Sequence, residues 1–122
     1  MPYPLICLGF QSYGAKMGID LSGKVVIVTG GAKGIGEGCV QKFFDSNATV
    51  ISFDLDSSSL ANQNSKYADF ESRFSSQVVD VSNEAQVEDA VTKVLAAHGR
   101  IDGLINCAGI QTYGSVTDTT EE

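Results

Sequence analysis

At 122 residues, the chain is long enough for one domain with a real core and too short for two. Its 43% hydrophobic and 19% charged residues are ordinary for a globular protein. A formal net charge of −7 argues against nucleic acid as a partner, since phosphate contacts need clustered Lys and Arg.

Cys7, Cys39 and Cys107 are odd in number and form no C-x-x-C pair. Neither a disulfide framework nor a zinc site is expected, and reduced thiols in a cytoplasmic setting fit best. Residues 1–16, MPYPLICLGFQSYGAK, have no basic start and only a short apolar run. No signal peptide or membrane span is expected there, and the segment reads as a disordered extension or an upstream start before a domain covering 17–122.

Lys24 to Thr29 is a near-continuous β-branched run, the pattern of a strand buried on both faces of a parallel sheet. A glycine-rich turn follows, within the stretch VVIVTGGAKGIGEG. From Gly34 to about Ser46, Ile35, Cys39, Val40, Phe43 and Phe44 share one helical face, and Asn47 suits the left-handed residue that ends the helix. Ala48 to Phe53 predicts a second buried strand ending at Asp54. A weaker helix is predicted somewhere between Ser57 and Glu71, and RFSSQVVD predicts a third strand reaching Asp80. Ser82 or Asn83 can cap the next helix, in which Val87, Ala90, Val91, Val94 and Leu95 recur at helical spacing. Gly99 ends it, and Ile101 to Asn106 predicts a fourth strand. Alternating strand and helix make the fold class α/β, with a doubly wound parallel sheet.

The glycine turn leads into a helix start, where free N–H groups and the helix dipole favour an anion. Gly30, Gly34 and Gly36 are spaced G-x-x-x-G-x-G, which is neither G-x-G-x-x-G nor a P-loop. Asp54 ends the second strand at about the spacing, ~20 residues on, where a carboxylate meets an adenosine ribose.

TGGAKGIG (Thr29 to Gly36), DV (Asp80, Val81) and NCAG (Asn106 to Gly109) resemble, in order and spacing, the signatures of the short-chain dehydrogenase/reductase family. The resemblance covers roughly Ser22 to Glu122 and implies a Rossmann-type sheet in the order 3-2-1-4. It implies a pyrophosphate turn at Gly30, Gly34, Ile35 and Gly36, a ribose carboxylate at Asp54, and adenine flanked by Asp80 and Val81. Asn106, Ala108 and Gly109 would line the cofactor groove. Cys107 departs from the family's more usual second Asn. Lys33 resembles the basic residue of NADP-preferring members and Asp54 the acid of NAD-preferring ones. Because Asp54 acts on the 2′-phosphate position itself, NAD is expected over NADP.

The same resemblance implies hydride transfer between a nicotinamide cofactor and a small-molecule alcohol or ketone, in a homo-oligomer. The family's catalytic Y-x-x-x-K is missing: Tyr3, Tyr13, Tyr67 and Tyr113 have no Lys four residues later. No catalytic residue is therefore assigned. His98 is expected at a helix end, and Cys39 and Cys107 as packing residues. The chain reads as the cofactor-binding part of an NAD(P)-dependent oxidoreductase, inactive by itself, with its sequence stopping where the next helix would begin. The fourth strand would then be an open edge, exposing VVIV and GLIN. The alternatives are a non-catalytic nucleotide-binding module or a Rossmann-like methyltransferase, the latter disfavoured because Thr29 stands where an acid is usual.

Overall fold

The computed structural model describes residues 19–70 and 72–109. The extension expected at 1–16 and the helix expected after TDTTEE lie outside them. In chain order come β1 (Val25–Thr29), α1 (Gly34–Asp45), β2 (Thr49–Asp54), α2 (Ser57–Lys66), β3 (Phe74–Val78), α3 (Glu84–His98) and β4 (Gly103–Asn106). A 3-10 turn, Ala68–Phe70, follows α2.

All pairings are parallel and the order is β3-β2-β1-β4, as the sequence predicts. Val26 of β1 lies opposite Val50 of β2 and Gly103 of β4. Alternate residues of the central strands serve opposite layers. Val26, Val28 and Val50 pack with Val40 and Phe44 of α1, Tyr67 and Phe74. Val25, Ile27, Ile51 and Phe53 pack instead with Ala90 and Val94 of α3. A strand covered on both sides cannot alternate apolar with polar residues, hence the uninterrupted β-branched run.

The helix boundaries follow from local chemistry. Asn47 adopts φ 75°, taking the left-handed conformation just past α1. Asn83 caps α3 by accepting from the Gln86 N–H, and Gly99 closes it at φ 76°.

Three expectations need correction. VVIV is not exposed: Val25 to Val28 are at most 4% accessible, because α1 and α3 cover both faces of β1. Only the GLIN half stands, with Leu104 55% exposed on a strand paired along one edge within the described residues. Ile35 is 82% exposed, since the first turn of α1 lies beyond the strand ends, where no sheet faces it. Leu95 is likewise exposed, turned away from the line of Ala90 and Val94.

Candidate functional site

Every strand-to-helix loop opens at the carboxyl ends of the strands, where open α/β sheets bind their ligands. The loop after β1 is anchored from two sides. The Gly30 and Gly31 N–H groups donate to the Phe53 carbonyl of β2, at 2.7 and 3.2 Å. On the other side, the Thr29 hydroxyl accepts from the N–H groups of Cys107 and Ala108 at 3.2 and 3.3 Å, tying in the segment after β4.

The glycines of this loop divide into two kinds. Gly30 has φ 65°, and a Cβ there would sit 2.8 Å from the Ala108 backbone. A Cβ on Gly36 would overlap the Gly30 carbonyl. Those two glycines let protein backbone approach protein backbone. Gly34 has φ 61°, but a Cβ there meets nothing within 4 Å. It therefore faces open space at the start of α1. No side chain caps that helix; its N-cap residue is Lys33, in extended backbone. The first-turn N–H groups and the positive end of the dipole stay available to an external anion.

Asp54 ends β2 with both carboxylate oxygens engaged. One accepts from the Ala32 N–H and the other from the Asp56 N–H, each at 3.0 Å. Each oxygen retains a lone-pair site, so the group is held in place without being saturated. Asp56 caps α2, accepting from the N–H and hydroxyl groups of Ser58 and Ser59. It also pairs with the Lys33 ammonium at 3.0 Å. That ammonium, with the Ser58 and Ser59 donors, holds the Asp56 carboxyl far below the usual carboxylate range. In return the Asp56 hydrogen bond and charge raise the Lys33 pKa, and Asp54 adds a smaller push.

After β3, the Asp80 carboxylate accepts from the Ser82 hydroxyl and N–H at 2.6 and 3.0 Å, which lowers its pKa. Val81 is exposed and lines a cavity of about 390 Å³ with Thr29, Phe53, Leu104 and Asn106. That cavity continues between α3 and β4 along Val87, Val91 and Ile101. Gly109 is exposed, and a Cβ there would meet nothing within 4 Å.

The structure thus brings Gly30, Lys33, Gly34, Ile35, Gly36, Asp54, Ala108 and Gly109 to one rim, with Asp80, Val81 and Asn106 at the ends of β3 and β4. His98 is not among them; it closes α3, at the opposite end of the strands. Tyr67 is a core residue. Its hydroxyl donates to Gln41 at 2.9 Å, and burial, then Asp45 and Glu37, pushes its pKa up to about 12. Among the described residues, no group of three metal-ligating side chains converges, and no helix is long and apolar enough to cross a membrane.

Sequence reasoning missed four participants. Thr29 was read for its place in a motif, not for its hydroxyl. Asp56 carries no motif in the sequence. Gln63 donates to the Gly31 carbonyl at 2.8 Å, and Ser52 is buried directly beneath Gly31. Gln63 and Ser52, polar residues inside an apolar helix face and strand, were the available signal.

A family model of the short chain dehydrogenases matches residues 24–122. Among curated relatives, 3beta-hydroxysteroid dehydrogenase 2 of Eggerthella lenta is 36% identical over 90 residues, covering 74% of this chain. Short-chain dehydrogenase reductase 3c of Arabidopsis thaliana is 39% identical over 93 residues, covering 76%. The chain spans 35% of the length of each of these two relatives. Among solved structures, the C-domain of a bacterial malonyl-CoA reductase with NADP is 35% identical at a TM-score of 0.66, covering 73% of this chain and 15% of that one. With the loop, the strand order and the family match in agreement, the chain belongs to the short chain dehydrogenase family.

Proposed function

We propose that the chain is the nucleotide-binding part of an oxidoreductase that moves hydride between NAD and an alcohol/ketone pair. The observation that carries this reading is the uncapped start of α1 opening on Gly34, beside a carboxylate already fixed at Asp54. The bound dinucleotide supplies the hydride acceptor or donor. This chain's residues bind and orient it. The first turn of α1, with Gly30, Gly34, Ile35 and Gly36, receives the pyrophosphate. The free lone pairs of Asp54 accept from the ribose hydroxyls, Asp80 and Val81 flank the adenine, and Asn106, Ala108 and Gly109 border the groove.

NAD is favoured over NADP because a 2′-phosphate would face the Asp54 carboxylate, although the malonyl-CoA reductase domain was solved with NADP. The substrate is a small alcohol or ketone, and the whole protein is a cytoplasmic homo-oligomer with neither nucleic acid nor membrane as partner. Residues 1–122 by themselves are inactive. They contain no Y-x-x-x-K, and losing the acid–base group alone forfeits ~10²–10⁴-fold in rate.

Titrating the purified chain with NADH and, separately, with S-adenosylmethionine tests the reading. Saturable NADH binding without S-adenosylmethionine binding is expected. The reverse result would favour the methyltransferase alternative, and turnover of any secondary alcohol by residues 1–122 would refute the claim of inactivity.

A further inference from the structure

Lys33 carries a conflict. It is the basic residue of a glycine loop, yet the neighbouring acid argues against a phosphorylated ribose. Among the described residues it is also the one cation at the carboxyl ends of the strands. Lys42 and Lys66 lie in the last turns of α1 and α2. Lys24, Arg73 and Arg100 precede β1, β3 and β4, and Lys93 is paired to Asp89 within α3. Among the described residues, Lys33 is the side-chain cation placed to meet a 2′-phosphate.

We propose that Asp56 is a specificity-determining residue, one that keeps the site selective for NAD by holding the Lys33 ammonium in an ion pair. The proposal rests on the NAD-binding reading above. The geometry is a closed circuit. Ala32 N–H donates to Asp54, Asp56 N–H donates to Asp54, and the Asp56 carboxylate takes the side chain of Lys33, the residue next to Ala32.

Exposed ion pairs are usually weak because two flexible side chains must be ordered together. Here one partner is already immobile. Four donors from Ser58 and Ser59 fix the Asp56 carboxylate at the start of α2, so only the lysine must be ordered. Its side chain remains 65% exposed, free to swing to another anion once released. With Asp56 present, a phosphate beside Asp54 meets two carboxylates and a single ammonium already taken. Without it, the ammonium and the Asp54 carboxylate offset one another.

Asp56→Ser and Asp56→Asn both retain a good helix cap while removing the charge, so α2 should still form in at least one of them. Dissociation constants of NADH and NADPH, measured by fluorescence on the purified chain, read the effect. In either variant the NADPH-to-NADH ratio of dissociation constants should fall by about two- to fivefold. Adding Lys33→Met to Asp56→Ser should return most of that change. An unchanged ratio with NADH binding intact overturns the proposal alone. So does an equal fall in the presence of Lys33→Met, because the carboxylate would then act by simple repulsion. Failure of wild type and variants to bind either dinucleotide overturns the NAD-binding reading and this proposal with it.

Discussion

The N-termini of α1 and α2 emerge at the same end of the sheet and are finished in opposite ways. Asp56 closes α2 with a side chain that satisfies two backbone N–H groups and two hydroxyls. Asn83 does the same for α3 with one bond. At α1 the N-cap residue is Lys33, which contributes no such bond and turns its ammonium to the cap of its neighbour. An unfinished helix start is unfavourable unless something else supplies the acceptor. The contrast therefore separates helices whose starts are closed by the protein from the one whose start is left open.

The strongest way to break that contrast is to wedge α1 away from the loop it packs on. Gly36→Ala pushes a Cβ into the Gly30 carbonyl, so α1 must shift off the loop. We expect a loss of about 2–4 kcal/mol in urea unfolding and no NADH binding. Gly38→Ala, two residues along the same helix with open space around it, should instead stabilise by about 0.5–1 kcal/mol. Equal effects at the two positions would contradict the packing described for Gly36.

Asp54 joins the two helix starts, bonding Ala32 ahead of α1 and Asp56 ahead of α2. Like charges about 4 Å apart near a protein surface repel by ~1–4 kcal/mol, which corresponds to roughly one to three decades in affinity. Asp54→Ala should narrow the preference for NADH over NADPH and Asp54→Arg should reverse it. A wild type that prefers NADPH would refute this reading of Asp54.

Removing the cap of α3 sharpens the comparison at smaller scale. Asn83→Ala should cost about 0.5–2 kcal/mol, whereas Lys33→Ala at the equivalent place on α1 removes no cap. Thermal melts of both variants give the difference directly, and a matching loss in the two would contradict it.

The smallest effect lies at the far end of α2. The folded chain holds the Tyr67 proton more tightly than the unfolded chain, with a pKa pushed up to about 12. Stability from this residue is therefore complete below the unfolded value of about 10 and fades as pH climbs towards the folded one. Melting temperature should drop between about pH 10 and about pH 12, and less so in Tyr67→Phe.

The elements were legible because strand burial, helix caps and left-handed terminators are local. Val25 to Val28, Asn47, Asn83 and Gly99 each announce their role through a neighbour or a short period. The pairings around the rim are not local. Lys33 with Asp56, Ala32 with Asp54, and Gly31 with Gln63 lie 22 to 32 residues apart and exist only because the parallel crossover brings two loops together. Ile35 misled for a related reason. Helical periodicity gives the direction in which a side chain points, but not whether the sheet extends far enough to meet it.

The opposite end of α1 bears on how far its open end acts. The Arg73 guanidinium donates to the carbonyls of Phe44 and Ala48 at 3.1 Å and stacks 4.0 Å over the Phe44 ring. A cation thus covers the negative pole of the helix, while no side chain caps the positive one. Two equal poles cancel at a distance, and their field dies quickly. With the negative pole covered, the positive pole is offset less by its own far end, and its potential reaches further than that of a bare dipole before salt and the Glu37 carboxylate in the first turn screen it. In a chain of net charge −7, that uncovered pole lowers the repulsion that an anion would meet at this rim.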